Sequence, residues 1–117
     1  MDMYIIILYS DSVPPGYATI TGNTTAYADG TNKLKLTCRT DSSNPPSNIT
    51  WYRGSQQVTS DQDASLGPGG YGGNVTSQVM EFVARRDMDG QVVECRATHE
   101  MSGNNVTTRV HLDIWCK

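Results

Sequence analysis

The sequence predicts an all-β fold, a two-sheet antiparallel sandwich with Greek-key connections, and three observations carry that prediction. Two cysteines, Cys38 in LTC and Cys95 in VVEC, sit midway along runs that alternate apolar and polar residues. Leu34, Leu36 and Cys38 share one face, with Lys33, Lys35, Thr37 and Arg39 on the other; Val93, Cys95 and Ala97 repeat the pattern against Val92, Glu94, Arg96 and Thr98. A period of two marks a half-buried strand, so each cysteine faces a core. Trp51 in NITWYR stands between them, where a sandwich closed by one inter-sheet disulfide packs an indole against the bridge. Finally, Gly, Ser, Thr and Asn cluster between short apolar runs, which suits many strands and turns.

Cys38 and Cys95 are therefore expected to be bonded, with Trp51 beside them in the core. A bridge between positions 57 residues apart typically contributes about 2–4 kcal/mol, mainly by restricting the unfolded chain. No CxxC is present, so the pair reads as structural rather than redox-active.

Taken in order, the chain opens with a segment over 1–14. Its apolar run, 4–9, is too short for a signal peptide core and lacks a basic flank and a small-residue cleavage site. It reads as an extended strand and linker, the tail of a preceding domain, with a single domain over 15–117. That domain begins with a strand at 17–21, followed by polar residues and a turn at Asp29-Gly30. The strand 33–39 leads into DSSNPPSN, where Pro45 and Pro46 forbid a central strand. Strands at 48–53 and 56–60 precede 61–73, which contains GPGGYGG and is expected to be a flexible loop. In the strand 75–84 the inward set is Met80, Phe82 and Ala84, with Val79 and Val83 outward. A turn at 85–90, a strand at 91–98, the loop HEMSGNN and a single last strand over 106–114 complete the chain.

Composition narrows the function classes. Charged residues make up 18% and the net charge is −3, which offers no electrostatic case for nucleic acid or an anionic membrane. No stretch approaches the roughly 18 apolar residues of a membrane helix, so direct membrane insertion by this chain is not expected. Four Asn-x-Thr sequons, at Asn23, Asn48, Asn74 and Asn105, are candidate glycosylation sites; with the cysteine pair they point to the secretory pathway and an extracellular setting. Catalysis, metals and cofactors are not indicated. His99 and His111 have no partnering motif and read as solvent-exposed. Asp61, Asp63, Asp87 and Asp89 form no EF-hand and read as solvated turns. GPGGYGG lacks the Lys-Ser/Thr of a phosphate loop.

The segments SNPPSNITWYR, TSQVMEFVARRDMDGQVVECRAT and NNVTTRVHLDI resemble the immunoglobulin superfamily, over about residues 15–114. More narrowly, they resemble the second-type constant domains of nectins, nectin-like adhesion molecules, nephrin and Kirrel-type receptors. The resemblance implies an immunoglobulin-like sandwich, a non-enzymatic role in cell–cell recognition, and a protein partner that is a homophilic or heterophilic receptor of the same superfamily. In that family docking often belongs to an outermost variable-type domain, so a domain such as this one serves partly as a spacer. Val93 replaces the tyrosine that usually stands two residues before the second cysteine, which argues against an antibody-type or variable-type domain. The alternative is a secreted immune-type module that binds a soluble or microbial ligand; a sandwich-fold enzyme is a distant third.

If the domain binds directly, the expected surface is the outer face of the sheet formed by 48–53, 91–98 and 106–114. Tyr52, Glu94, Arg96, Arg109 and His111 fall on it, and Tyr52, Tyr71 and Met101 are expected to be exposed. Cys116, the odd cysteine, is expected to be an exposed free thiol left where the chain is cut.

Overall fold

A computed structural model describes residues 12–115, the side chain of Tyr71 excepted. The strand expected at 4–9 and Cys116 lie outside the described residues. Among the described residues, ten strands and two single-turn 3-10 helices follow one another as β1 (Ala18–Gly22), β2 (Thr25–Tyr27), β3 (Lys33–Thr40), β4 (Asn48–Arg53), β5 (Gln56–Val58), β6 (Ser65–Pro68), a turn at Gly70–Gly72, β7 (Asn74–Val83), a turn at Arg86–Met88, β8 (Val92–Thr98), β9 (Asn105–His111) and β10 (Asp113–Trp115). One antiparallel sheet has the order β1-β3-β7-β6 and the other β5-β4-β8-β9. The fold is the expected immunoglobulin-like antiparallel sandwich.

Alternation along the strands builds the core. Leu34, Leu36, Cys38 and Thr40 from β3 meet Val93, Cys95 and Ala97 from β8, with Trp51 of β4 and Met80 of β7 between them. Cys38 and Cys95 are disulfide-bonded across the two sheets with their Cα atoms 6.3 Å apart, and Trp51 is the β-ladder partner of Cys95. On β7 the inward set is the even-numbered one: Thr76 and Met80 are buried, as is Ala84 beyond the strand, and Phe82 packs on the core in part. Besides Ala84, two core residues fall outside regular strands. Met88 plugs the sandwich from its 3-10 turn, and Leu112 fills the break between β9 and β10.

The first and last strands differ from expectation. The chain leaves the first sheet after β1, and β2 pairs in parallel with β10, so the single strand expected at 106–114 is two strands separated at Leu112. The crossing depends on Gly22, whose φ is 133° and whose missing Cβ would lie 2.2 Å from the carbonyl oxygen of Lys35. No side chain fits there.

The glycine-rich segment is also not the flexible loop expected. It contains β6, which pairs with β7, and a 3-10 turn closed by the Gly73 N–H donating to the Gly70 carbonyl. Its glycines let the backbone pack onto the loop after β3: Ser42 Oγ donates to the Gly70 carbonyl at 2.8 Å, and a Cβ at Gly73 would strike the same Ser42 hydroxyl.

His99 corrects another expectation. It is fully buried, with Nδ1 2.7 Å from Ser102 Oγ and Nε2 3.0 Å from the Asn44 carbonyl oxygen. Buried polar rings are hydrogen-bonded, and here the partners come from both neighbouring loops. His99 thus fastens the 99–104 loop to the proline-bearing loop, which also pairs with Val13 and Asn74.

Candidate functional site

The strand phases that bury Trp51 and Cys95 turn their neighbours outward. Because Trp51 and Cys95 are register partners, Tyr52 lies opposite Glu94 and Thr50 opposite Arg96; across β8, Glu94 lies opposite Arg109 and Arg96 opposite Thr107. The outer face of the β5-β4-β8-β9 sheet therefore carries residues in rows that run across three strands.

The middle of this face is one connected cluster. Arg96 lies over the ring of Tyr52 with its guanidinium carbon 4.4 Å from the ring centroid, and it donates to the phenol oxygen at 3.3 Å. Its other terminal nitrogen donates to one carboxylate oxygen of Glu94 at 2.8 Å, and Nε of Arg109 donates to the second at 2.8 Å. The Glu94 side chain is only 12% exposed, against 39% for Arg96 and 60% for Arg109. A carboxylate with both oxygens taken by guanidinium groups makes strong, oriented bonds. A cation over an aromatic face adds a further attraction.

The arginine ends of these pairs are open to solvent, which limits what the pairs add to folding stability. What the cluster supplies is shape, since two arginines and a tyrosine are held in set positions without partner contact. Tyrosine and arginine are also the residue types that dominate binding energy at protein interfaces.

Four of the five residues expected on this face, Tyr52, Glu94, Arg96 and Arg109, are thus brought together. His111 shares the face as the register partner of Val92, exposed at the far end and outside the cluster. Tyr52 is half-buried rather than exposed, because Arg96 covers its ring. Met101, at the tip of its loop, is 65% exposed, as expected. The cluster's connectivity was not read from the sequence, though the signal was there: placing Trp51 opposite Cys95 sets Tyr52 against Glu94.

Among the described residues, no group of three or more His, Cys, Asp or Glu side chains could hold a metal ion, and no helix is long and apolar enough to cross a membrane. A cleft beside Trp51 and Gln78 holds about 120 Å³ and another beside Lys33 and Glu81 about 260 Å³. Both fall below the roughly 300–1,000 Å³ of typical small-molecule sites.

The sequence profile of the CD80-like C2-set immunoglobulin domain matches residues 18–106. Cell adhesion molecule 3 of Xenopus laevis is 27% identical over 97 residues, covering 83% of this chain and 24% of that protein. Cell adhesion molecule 2 of Xenopus tropicalis is 33% identical over 82 residues, covering 69% of this chain and 18% of that protein. The chain thus spans a quarter or less of the length of these relatives. Among solved structures, the full three-domain ectodomain of mouse nectin-like molecule 4 superposes with a TM-score of 0.73 at 22% identity, over 87% of this chain and 34% of that one. The two-domain fragment D1-D2 of Rst also gives 0.73, at 18% identity, over 91% of this chain and 51% of that one.

Proposed function

The chain belongs to the CD80-like C2-set immunoglobulin domain family, and on that premise we propose that it is a non-catalytic extracellular domain of a cell-adhesion or cell-surface recognition receptor. Its part is protein–protein recognition with a receptor of the same superfamily. Likeness to two cell adhesion molecules across most of the chain supports the adhesion role. The observation that carries a direct binding role is the Tyr52–Arg96–Glu94–Arg109 cluster, preformed on the open face of one sheet. A domain acting only as a spacer has no need of it.

The test is multivalent display of the chain on fluorescent beads. These are presented to a panel of immunoglobulin-superfamily ectodomains that includes the chain itself, and in parallel to glycan arrays and microbial surfaces. Capture by an ectodomain, lost when Tyr52→Ala and Arg96→Ala are combined, is the expected result. Binding to glycans or microbes alone would establish the immune-type reading instead, and no binding to either would leave the spacer role.

A further inference from the structure

Two of the four sequons stand in matching positions on the same face as the cluster. Asn48 on β4 and Asn105 on β9 are each register partners of Thr98 on β8, so the row Asn48–Thr98–Asn105 crosses the sheet. The hydroxyls that complete the two sequons, Thr50 and Thr107, stand on either side of Arg96 in the next row. Both asparagines are exposed. Asn48 Nδ2 donates one hydrogen to Glu100 Oε1, which leaves its second free for substitution. The other two sequons do not share this placement. Asn23 lies where the chain changes sheets, its Oδ1 accepting from the Thr25 N–H. Asn74 is half-buried, and the hydroxyl-bearing Thr76 is buried in the core.

We propose that Asn48 and Asn105 carry a pair of N-linked oligosaccharides that close the loop-proximal end of this face and confine a protein partner to the half running from the Tyr52–Glu94–Arg109 row toward His111. The inference rests on the extracellular reading, because the acceptors must meet the transferase of the secretory pathway. In the transfer, Nδ2 of each asparagine attacks C1 of the first sugar of a lipid-pyrophosphate-linked oligosaccharide. The N–C1 bond forms, the C1–O bond breaks, the lipid pyrophosphate leaves with the electron pair, and the amide gives one proton to a base of the transferase.

The geometry then sets the consequence. Neighbouring strands lie just under 5 Å apart, so the two acceptors are roughly 10 Å from each other. Branched glycans are bulky at that spacing, and together they overhang the backbone of the Thr50–Arg96–Thr107 row, about 7 Å away along the strands, while the Arg96 guanidinium reaches over Tyr52 into the open half. His111 is six residues beyond Asn105 on β9, roughly 20 Å along the strand and about three times as far from the acceptors as the Arg96 row.

The experiment needs no partner, so its outcome is separable from that of the bead assay. The chain is secreted from animal cells behind a heterologous signal sequence in a Cys116→Ser background, then treated with peptide N-glycosidase in ¹⁸O water and mapped by mass spectrometry. Labelled aspartate at both 48 and 105 is expected; an unmodified Asn48 or Asn105 overturns the pair. Single cysteines are then placed by Arg96→Cys or His111→Cys and reacted in the folded protein with a polymer-linked maleimide. Labelling at position 96 should speed up about tenfold once the glycans are removed, while position 111 keeps its rate. Equal rates at 96 before and after removal would overturn the shielding, whether or not any ectodomain binds.

Discussion

The indole nitrogen of Trp51 donates a 2.9 Å hydrogen bond to Oε1 of Gln78 on the opposite sheet. Trp51 is the register partner of Cys95 and Gln78 that of Cys38, so this bond runs beside the disulfide and ties the two sheets together at the same level. Gln78 completes its own bonding by donating Nε2 to the Gln62 carbonyl at 2.9 Å. Gln78→Leu leaves a buried N–H unpaired and should cost about 1–3 kcal/mol in urea unfolding. Combining it with Trp51→Phe, which removes the donor, should cost less than the sum of the two single changes. Strict additivity would show that the bond is not formed in solution.

Trp51→Ala probes the burial of the indole itself. Deleting a buried aromatic costs about 3–5 kcal/mol, from lost burial and the cavity left behind. A loss under about 1 kcal/mol would mean that the indole is not part of the core.

Gly22 carries the change of sheet. Gly22→Ala combines a positive φ with a Cβ driven into the Lys35 carbonyl. The left-handed penalty alone is about 1–2 kcal/mol, so the total should exceed about 2 kcal/mol and loosen the pairing of β2 with β10. Gly67→Ala is the matched control, since a Cβ there meets nothing within 4 Å and φ is ordinary. It should be neutral or slightly stabilising. Equal effects from the two substitutions would mean that the close approach at Gly22 does not govern the crossing.

These sites also show how far the sequence was legible. The alternation through Leu34, Leu36 and Cys38 and through Val93, Cys95 and Ala97 was enough to place the bridge, the tryptophan and the outward set on β8, because a period of two determines facing. It could not show where a strand changes partners. Gly22 lies among polar residues with no apolar pattern to interrupt, and the break at Leu112 falls within an unbroken alternation. Length and composition misled at GPGGYGG: seven residues rich in glycine read as flexible, whereas their lack of side chains lets the segment pack against Ser42. His99 carried no pattern either. Its acceptor at Asn44 is 55 residues away in sequence and adjacent only after folding.

The His99 clamp supports a stability prediction of its own. His99→Ala opens a cavity and removes the two hydrogen bonds by which the ring joins the Asn44 carbonyl to the Ser102 hydroxyl, which should cost about 2–4 kcal/mol. Amide exchange should quicken in the proline-bearing loop and at residues 99–104 together, because one ring joins them. Faster exchange in only one of the two loops would show that His99 does not couple them.

The outer cluster should respond differently from all of these sites. Glu94 is largely covered, but the arginines it holds are open to solvent, and ion pairs screened in this way are worth roughly 0–1 kcal/mol. Glu94→Gln should therefore cost about 1 kcal/mol or less in unfolding, while its NH2 group replaces one of the two acceptor oxygens and frees at least one guanidinium from its set position. If recognition depends on that pre-set geometry, the bead assay should lose affinity by about tenfold or more even though both arginines remain. Tyr52→Phe keeps the ring under Arg96 and removes only the 3.3 Å bond to the phenol oxygen, so it should have the smaller effect. The reverse order, with Tyr52→Phe severe and Glu94→Gln silent, would mean that a partner reads the tyrosine hydroxyl itself and that the arrangement of the arginines around Glu94 is incidental to binding.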